Sequence, residues 1–542
     1  MKRLFTFTVL IMLLTALSAQ ESDNELHAFY KERNHTVIPQ WNTWNAEYGS
    51  LFDNYNITNE EAPQNEPSVR ISRVNPDIIV AAWRDFREGW QSPDIVRRIG
   101  YSYSHDGGLT WSESKLLPDP EPNHLSQSDP VVMSDSQGFF YISSTSRQPV
   151  TNYNREMLIY RSADNGENFE LYSVAVPGSG LQGEDKEWIF VDPVETNPTY
   201  DNMFIIWRSF GPSNGIKFRK SADHGLTWSS TVNVSDVSTG QGANVASGVN
   251  GEIFAVWLNI GIMFDVSNNG GQSFGQDHML ANLNVNEYYS FPYIAVDYSN
   301  LESRGNVYVV WADNRTGTED IWFQRSEDNG QSWLPNPIRV NDVATNDQYW
   351  PMIMCDTNGM IAVIYYDDRT QAGLLGTYLA VSEDEGNTWT NIKLNSAPFF
   401  GFTPNSDVRF GDYIGVDMLG GKVIPVWTDD RTFDDNQEIY TAVMDIHTGI
   451  PKVTNKPLAD IGIYPQPVKD QARIDVTLLE TGHVRLEIRD PLGKVVDVIN
   501  EENLTAGTHS YQWHANRFPP GMYFLTLKTK EQLISRKMMV VH

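Results

Sequence analysis

The sequence predicts an all-β chain: a β-propeller of repeated four-stranded blades, followed by a small C-terminal β-sandwich. Three observations predict it. One turn motif recurs six times, an aromatic-ended strand recurs seven times, and both periodicities stop after Ile450. Self-similarity at a period of tens of residues is the mark of solenoids, arrays and propellers.

The turn motif is S-x-D-x-G-x-T-W with small variations. It occupies Ser104–Trp111, Ser162–Phe169, Ser221–Trp228, Ser267–Phe274, Ser326–Trp333 and Ser382–Trp389, with starts 46 to 59 residues apart. Its Asp can accept backbone amides across a tight turn, and its Gly tolerates a positive φ. The terminal aromatic is expected to pack back into its own blade. The motif is therefore a structural staple.

The aromatic-ended strands finish at Trp83, Tyr141, Trp207, Trp257, Trp311, Tyr365 and Trp427. Four of them continue as aromatic-x-Asp-x-Arg, giving Asp85/Arg87, Asp313/Arg315, Asp367/Arg369 and Asp429/Arg431. A shorter apolar strand comes before, as in Pro67–Ile71, Pro130–Met133 and Pro292–Val296. Each unit then reads as three strands, the turn motif and a fourth strand, which is the plan of a propeller blade. Seven aromatic-ended strands against six turn motifs imply seven units, with six as the alternative. The last unit, about 411–447, lacks its motif, and Thr36–Trp41 is the candidate for the closing outer strand. Residues 451–458 read as a linker, and 459–542 as short alternating strands.

The chain has 542 residues, with 69 acidic against 40 basic side chains and a net charge of −29. A surface this negative repels phosphate backbones and anionic lipid, so nucleic acid and bare membrane are poor partners. Met1-Lys2-Arg3, an apolar run to Leu17, and the small residues Ala16, Ser18 and Ala19 follow the order of a secretory signal peptide over 1–19. That run is too short for a comfortable membrane span. A single cysteine, Cys355, rules out an intrachain disulfide and reads as packing. The 11 histidines form no zinc-spaced cluster, and no cofactor is expected. The acidic pairs Asp367/Asp368, Asp429/Asp430 and Asp434/Asp435 read as solvated loops, with structural Ca²⁺ as the alternative. A monomer is expected.

The turn motif resembles the Asp box (BNR repeat) of the sialidase-like propeller superfamily, over roughly residues 60–450. The tail resembles the type A C-terminal sorting domain of the type IX secretion system. It shares the opening Tyr464-Pro465-Gln466-Pro467, the D-x-x-G-K of Asp490 to Lys494, the Pro520-Gly521-Met522-Tyr523 strand entry and an apolar final strand after Lys537. That likeness implies export by the type IX machinery, with release or surface attachment.

The propeller likeness implies that the boxes face away from the functional site, which lies at the strand starts and at the loops after the aromatic-x-Asp-x-Arg strands. Sialidases clamp the carboxylate of sialic acid with three arginines, because charge-assisted pairs hold it. They use a tyrosine nucleophile activated by a glutamate, with an aspartate as acid/base. By that likeness Arg70 is a clamp residue, Asp94 the acid/base, Tyr413 the nucleophile and Glu187 a candidate for its activator. Asp85 with Arg87, Arg315, Arg369 and Arg431 are candidate substrate contacts; an Asp–Arg pair bracing each loop is the structural alternative. No arginine precedes the fourth box in Gly261–Val266, so the clamp is incomplete in sequence. Three readings follow: an exo-sialidase-type hydrolase of extracellular glycans, a non-catalytic propeller binding glycan or glycoprotein, and a hydrolase using paired carboxylates.

Overall fold

The computed structural model describes residues 52, 54–90, 95–120, 126–147, 155–178, 183–210, 214–283, 291–401, 410–432, 436–446, 459–478, 481–489, 495–528 and 533–541. The signal segment, Thr36–Trp41, Asp94, Asp434, Asp435, the linker and Asp490–Lys494 lie outside them. Among the described residues the regular elements are strands, apart from a three-residue 3₁₀ turn at Ala515–Arg517 in the tail. None of their helices is long and apolar enough to cross a membrane. The chain divides into two compact units, meeting between Asp445 and Ile446.

In the first unit, six antiparallel sheets follow one another, each with four strands hydrogen-bonded in chain order; in the sixth, Phe399–Phe400 also pairs with the third strand. The first comprises Gln64–Ile71, Ile79–Asp85, Arg98–Ser104 and Lys115–Leu116. The next five begin at Ser126, Glu184, Gln241, Tyr293 and Gln348. A seventh sheet starts with Gly415–Leu419, Lys422–Asp429 and Glu438–Thr441, and its outermost strand is Tyr55–Asn56. The innermost strands neighbour one another in succession, and Gly415–Leu419 returns to Gln64–Ile71. The sheets therefore close into a ring. Tyr55–Asn56, just before the first inner strand, pairs with Tyr440 and Thr441 as the outermost described strand of the seventh sheet.

The second strand of each sheet carries the aromatic. Trp83, Trp207, Trp257, Trp311, Trp427, Tyr141 and Tyr365 are all fully buried or nearly so. Sheets stacked face to face bury both sides of a strand, so runs such as Met203–Trp207 are continuously apolar instead of alternating.

The box turn joins the third and fourth strands. Its Ser hydroxyl takes the Gly amide, as in Gly108 N to Ser104 Oγ at 2.8 Å, and its Asp takes the amide and hydroxyl of Thr110 at 2.9 and 2.6 Å. The terminal aromatic does not pack back into its own sheet. Phe169, Phe274, Trp333 and Trp389 meet Tyr101, Phe218, Phe264 and Phe323 edge to face, each on the preceding sheet. Trp111 likewise packs on the core shared with Ile424 and Val426 of the seventh sheet. The box is short and projects sideways, so its ring reaches the neighbour; it staples sheet to sheet.

The second unit has a three-stranded sheet (Ala459–Tyr464, Gln471–Leu478, Gly507–His514) and a four-stranded one built on Gly482–Arg489 and Gly521–Lys528. Both feed one core, including Ile474, Val476, Trp513, Leu486, Ile488 and Leu525. Gln471–Leu478 alternates exposed and buried positions, as a strand with one wet face must.

Candidate functional site

In each sheet of the ring the first strand runs towards the box end and the second returns. Glu66 and Asp85 therefore share one end of the first sheet, and the box at 104–111 occupies the other. At the Glu66 end, five of the inner strands begin with a bulge against their partner. The bulged residues Glu66, Asp129, Lys186, Gly242 and Trp350 all have positive φ. Four of these are not glycine, a strained choice that clusters at functional positions. The bulge re-aims the side chain, and here it brings together groups from different sheets.

Lys186 of the third sheet reaches Asp412, just before the seventh sheet's first strand, at 3.2 Å. Its ammonium lies 3.5 Å from the centre of the Tyr413 ring and 5.5 Å from that of Phe291. Glu66 pairs with Arg84 at 3.0 Å, Arg84 Nε donates to Asn65 at 2.7 Å, and Asn65 donates to Gln437 at 2.7 Å. Glu187 accepts the Thr145 hydroxyl through one oxygen, and its other oxygen has no partner among the described residues. Tyr413 donates to the Pro130 carbonyl at 3.2 Å.

Burial, aided by Asp412 and Asp129, pushes Glu66 up to about 8 in spite of Arg84. Burial also raises Asp129 and, well above the usual carboxylate range, Glu187. Tyr413 is raised by burial and then by the surrounding carboxyls. Burial thus disfavours ionisation of the carboxyls gathered around one ammonium at this end of the ring.

A second group flanks it. Arg147 and Arg155 face each other across neighbouring strands of the second sheet, and Arg155 is ion-paired with Asp185. Asp185 in turn stands opposite Arg208 in the third sheet and accepts Gln241 Nε2 at 3.0 Å. Buried Nε atoms of Arg147 and Arg208 make no hydrogen bond among the described residues. Burial lowers Arg208 to about 10 and, with Arg155 beside it, lowers Arg147. Asp185 thus pairs with Arg155 and stands opposite Arg208, while Arg147 faces Arg155.

Of the residues singled out in the sequence, Glu187 and Tyr413 meet at this mouth, while Asp94 lies outside the described residues. Arg70 is elsewhere: it pairs with Asp417 at 3.2 Å, which also holds Arg73 at 3.0 Å. It lies near the box end of its strand, at the opposite end from Glu66. The Asp–Arg motifs are braces. Asp85 accepts the Trp83 indole at 3.0 Å and Arg87 through both oxygens at 2.9 and 2.7 Å. Asp313 holds Trp311 and Arg315 in the same way, as Asp429 holds Trp427 and Arg431, and Asp367 holds Arg369. Arg369 and Arg431 are further stacked on Tyr378 and Tyr440.

Among the described residues, no group of three or more His, Cys, Asp or Glu gathers to hold a metal ion. Asp368 is occupied by amides of Asp347 and Gly373 and by the Tyr349 hydroxyl. Glu66, Asp129, Lys186, Arg84, Asp412 and the Arg147/Arg155/Arg208 set were not singled out in the sequence. The local signal for Glu66 and Asp129 was the proline that directly follows each, Pro67 and Pro130.

Residues 462–541 match the family model described as a secretion system C-terminal sorting domain, and 102–113 match the BNR/Asp-box repeat. The tail thus marks the chain for secretion or surface export. No curated protein sequence matches the chain. Among solved structures, a protein of unknown function from Dyadobacter fermentans shares 14% identity, covering 73% of this chain and 99% of that one, with a TM-score of 0.44. An α-L-arabinanase from Penicillium chrysogenum shares 15%, covering 73% and 98%, at a TM-score of 0.42. The NanB sialidase of Streptococcus pneumoniae, in a point-mutant form, shares 13%, covering 76% and 72%, at 0.39.

Proposed function

We propose that the chain is an exported propeller that acts on acidic extracellular glycans at the ring mouth, as a glycoside hydrolase of the exo-sialidase type. The observation that carries this reading is Arg155, paired with Asp185 and directly opposite Arg147, with Arg208 opposite Asp185 in the next sheet and Lys186 and Glu187 following Asp185 in the chain. The buried Nε atoms of Arg147 and Arg208 make no hydrogen bond among the described residues, and guanidiniums suit a ligand carboxylate or sulfate. At the same end of the ring, burial raises Glu66 to about 8, which favours the protonated carboxyl that an acid for a leaving glycosidic oxygen needs. Protonation and C–O cleavage would release the aglycone, and water would then add at the anomeric carbon.

The role of Tyr413 differs from that of an activated nucleophile. Its hydroxyl is spent on the Pro130 carbonyl and its ionisation is disfavoured. That same observation favours a second reading, a non-catalytic glycan-binding propeller. Fluorogenic sialosides and glucuronides separate the two. Turnover lost in Glu66→Gln supports the hydrolase; binding without turnover supports the binder; neither binding nor turnover on any acidic glycan removes both.

A further inference from the structure

A cleft of about 610 Å³ opens where the N-terminal segment crosses the seventh sheet, lined by Trp90, Tyr440, Arg431, Glu60, Asn436 and Glu438. Its size falls within the roughly 300–1,000 Å³ of small-ligand sites. The N-terminal segment is clamped there by Glu438, which accepts the Thr58 hydroxyl, the Glu60 amide at 3.1 Å and Asn436 Nδ2 at 3.2 Å. Asn436 also donates to the Glu60 carbonyl at 2.8 Å. The polar wall is therefore rigid. Tyr440 is covered by the Arg431 guanidinium at 3.8 Å, whereas half-buried Trp90 makes no hydrogen bond or ring contact with the described residues.

We infer that this cleft is a second sugar-binding subsite, taking an uncharged sugar unit with Trp90 as its platform. An indole face stacks on the C–H face of a pyranose or furanose ring, while fixed amides and carboxylates take its hydroxyls. The acidic side chains Glu60, Glu61 and Glu438 disfavour an anionic unit. The position is informative as well. Asn436 and Glu438 line the cleft, and Gln437 between them accepts from Asn65, which accepts from the Arg84 that holds Glu66. The residues 436–438 thus tie the cleft to the chain of contacts that ends at Glu66. The inference rests on the glycan reading above in supposing that both belong to one extended ligand, with its acidic end at the arginines.

The test is calorimetry on the full chain with gluco-, xylo- and arabino-oligosaccharides of two to six units, comparing wild type, Trp90→Ala and Trp90→Phe. We expect wild type to bind one neutral series, Trp90→Ala to weaken it roughly ten-fold and Trp90→Phe to retain most of it. The inference is overturned if no neutral series binds, or if Trp90→Ala binds like wild type with its melting temperature unchanged. Turnover of acidic glycans is read in parallel. Its absence with neutral binding intact overturns the hydrolase reading alone.

Discussion

Arg147 and Arg155 stand directly opposite one another on adjacent antiparallel strands, with the carboxylate of Asp185 bound to Arg155. Like charges in that register destabilise a sheet, commonly by up to about 1 kcal/mol. Arg155→Ala is therefore expected to leave the melting temperature unchanged or raised. It should also weaken binding or turnover of an acidic glycan about 10- to 100-fold. Equal loss of stability and activity would show that the arginine is merely structural.

Glu66 sets a pH dependence whose sign is fixed by its burial. Its folded pKa of about 8 lies above the unfolded value near 4.5, so the folded state prefers the protonated form. The stability it contributes is complete below about 4.5 and is lost as pH rises towards 8, at most about 1.4 kcal/mol per pH unit. Unfolding measured from about pH 4.5 to 8 should show a flatter curve in Glu66→Gln than in wild type. Under the hydrolase reading, kcat/KM of wild type should fall above about pH 8.

The box end should affect stability without touching activity. Gly386 has a φ of +82° and a Cβ there would lie 2.3 Å from the Phe323 ring on the preceding sheet. Gly386→Ala is expected to cost about 2 kcal/mol or more in denaturant unfolding, through strain and overpacking. Binding of glycan by the protein that remains folded should be unchanged. A change in affinity would place a functional site at the box end.

Closure of the ring depends on the Thr58–Glu438 contact, since Thr58 also accepts the Ile439 amide at 3.0 Å. Thr58→Val removes one of the donors to the Glu438 carboxyl and leaves the Ile439 amide without its acceptor, a loss of about 1–3 kcal/mol. Hydrogen exchange should then rise first at Tyr55–Asn56 and Glu438–Thr441. Uniform loss of protection across all sheets would contradict a local clasp.

The blades were legible because their determinants are local. Ser104, Asp106, Gly108 and Thr110 satisfy one another within a single turn, so the motif can be read from eight residues. The aromatic of each second strand likewise reports its own burial. Even here the partner of the box aromatic was not legible: Trp389 meets Phe323, and the choice between its own sheet and the preceding one is made by stacking. Arg70 looked like a site residue by its motif, yet strand direction carries it to Asp417.

By itself, then, the sequence determined the repeat, the turn chemistry, the aromatic core strands and the sorting tail, because each is encoded in short-range spacing. The tertiary structure decided which side chains share a site. Lys186 and Asp412 are 226 residues apart and meet only because the ring closes. The bulges turn Glu66, Asp129 and Lys186 out of the regular alternation, so no periodicity in the sequence announces them. Burial at the axis then moves their protons, a consequence of desolvation that no local motif carries.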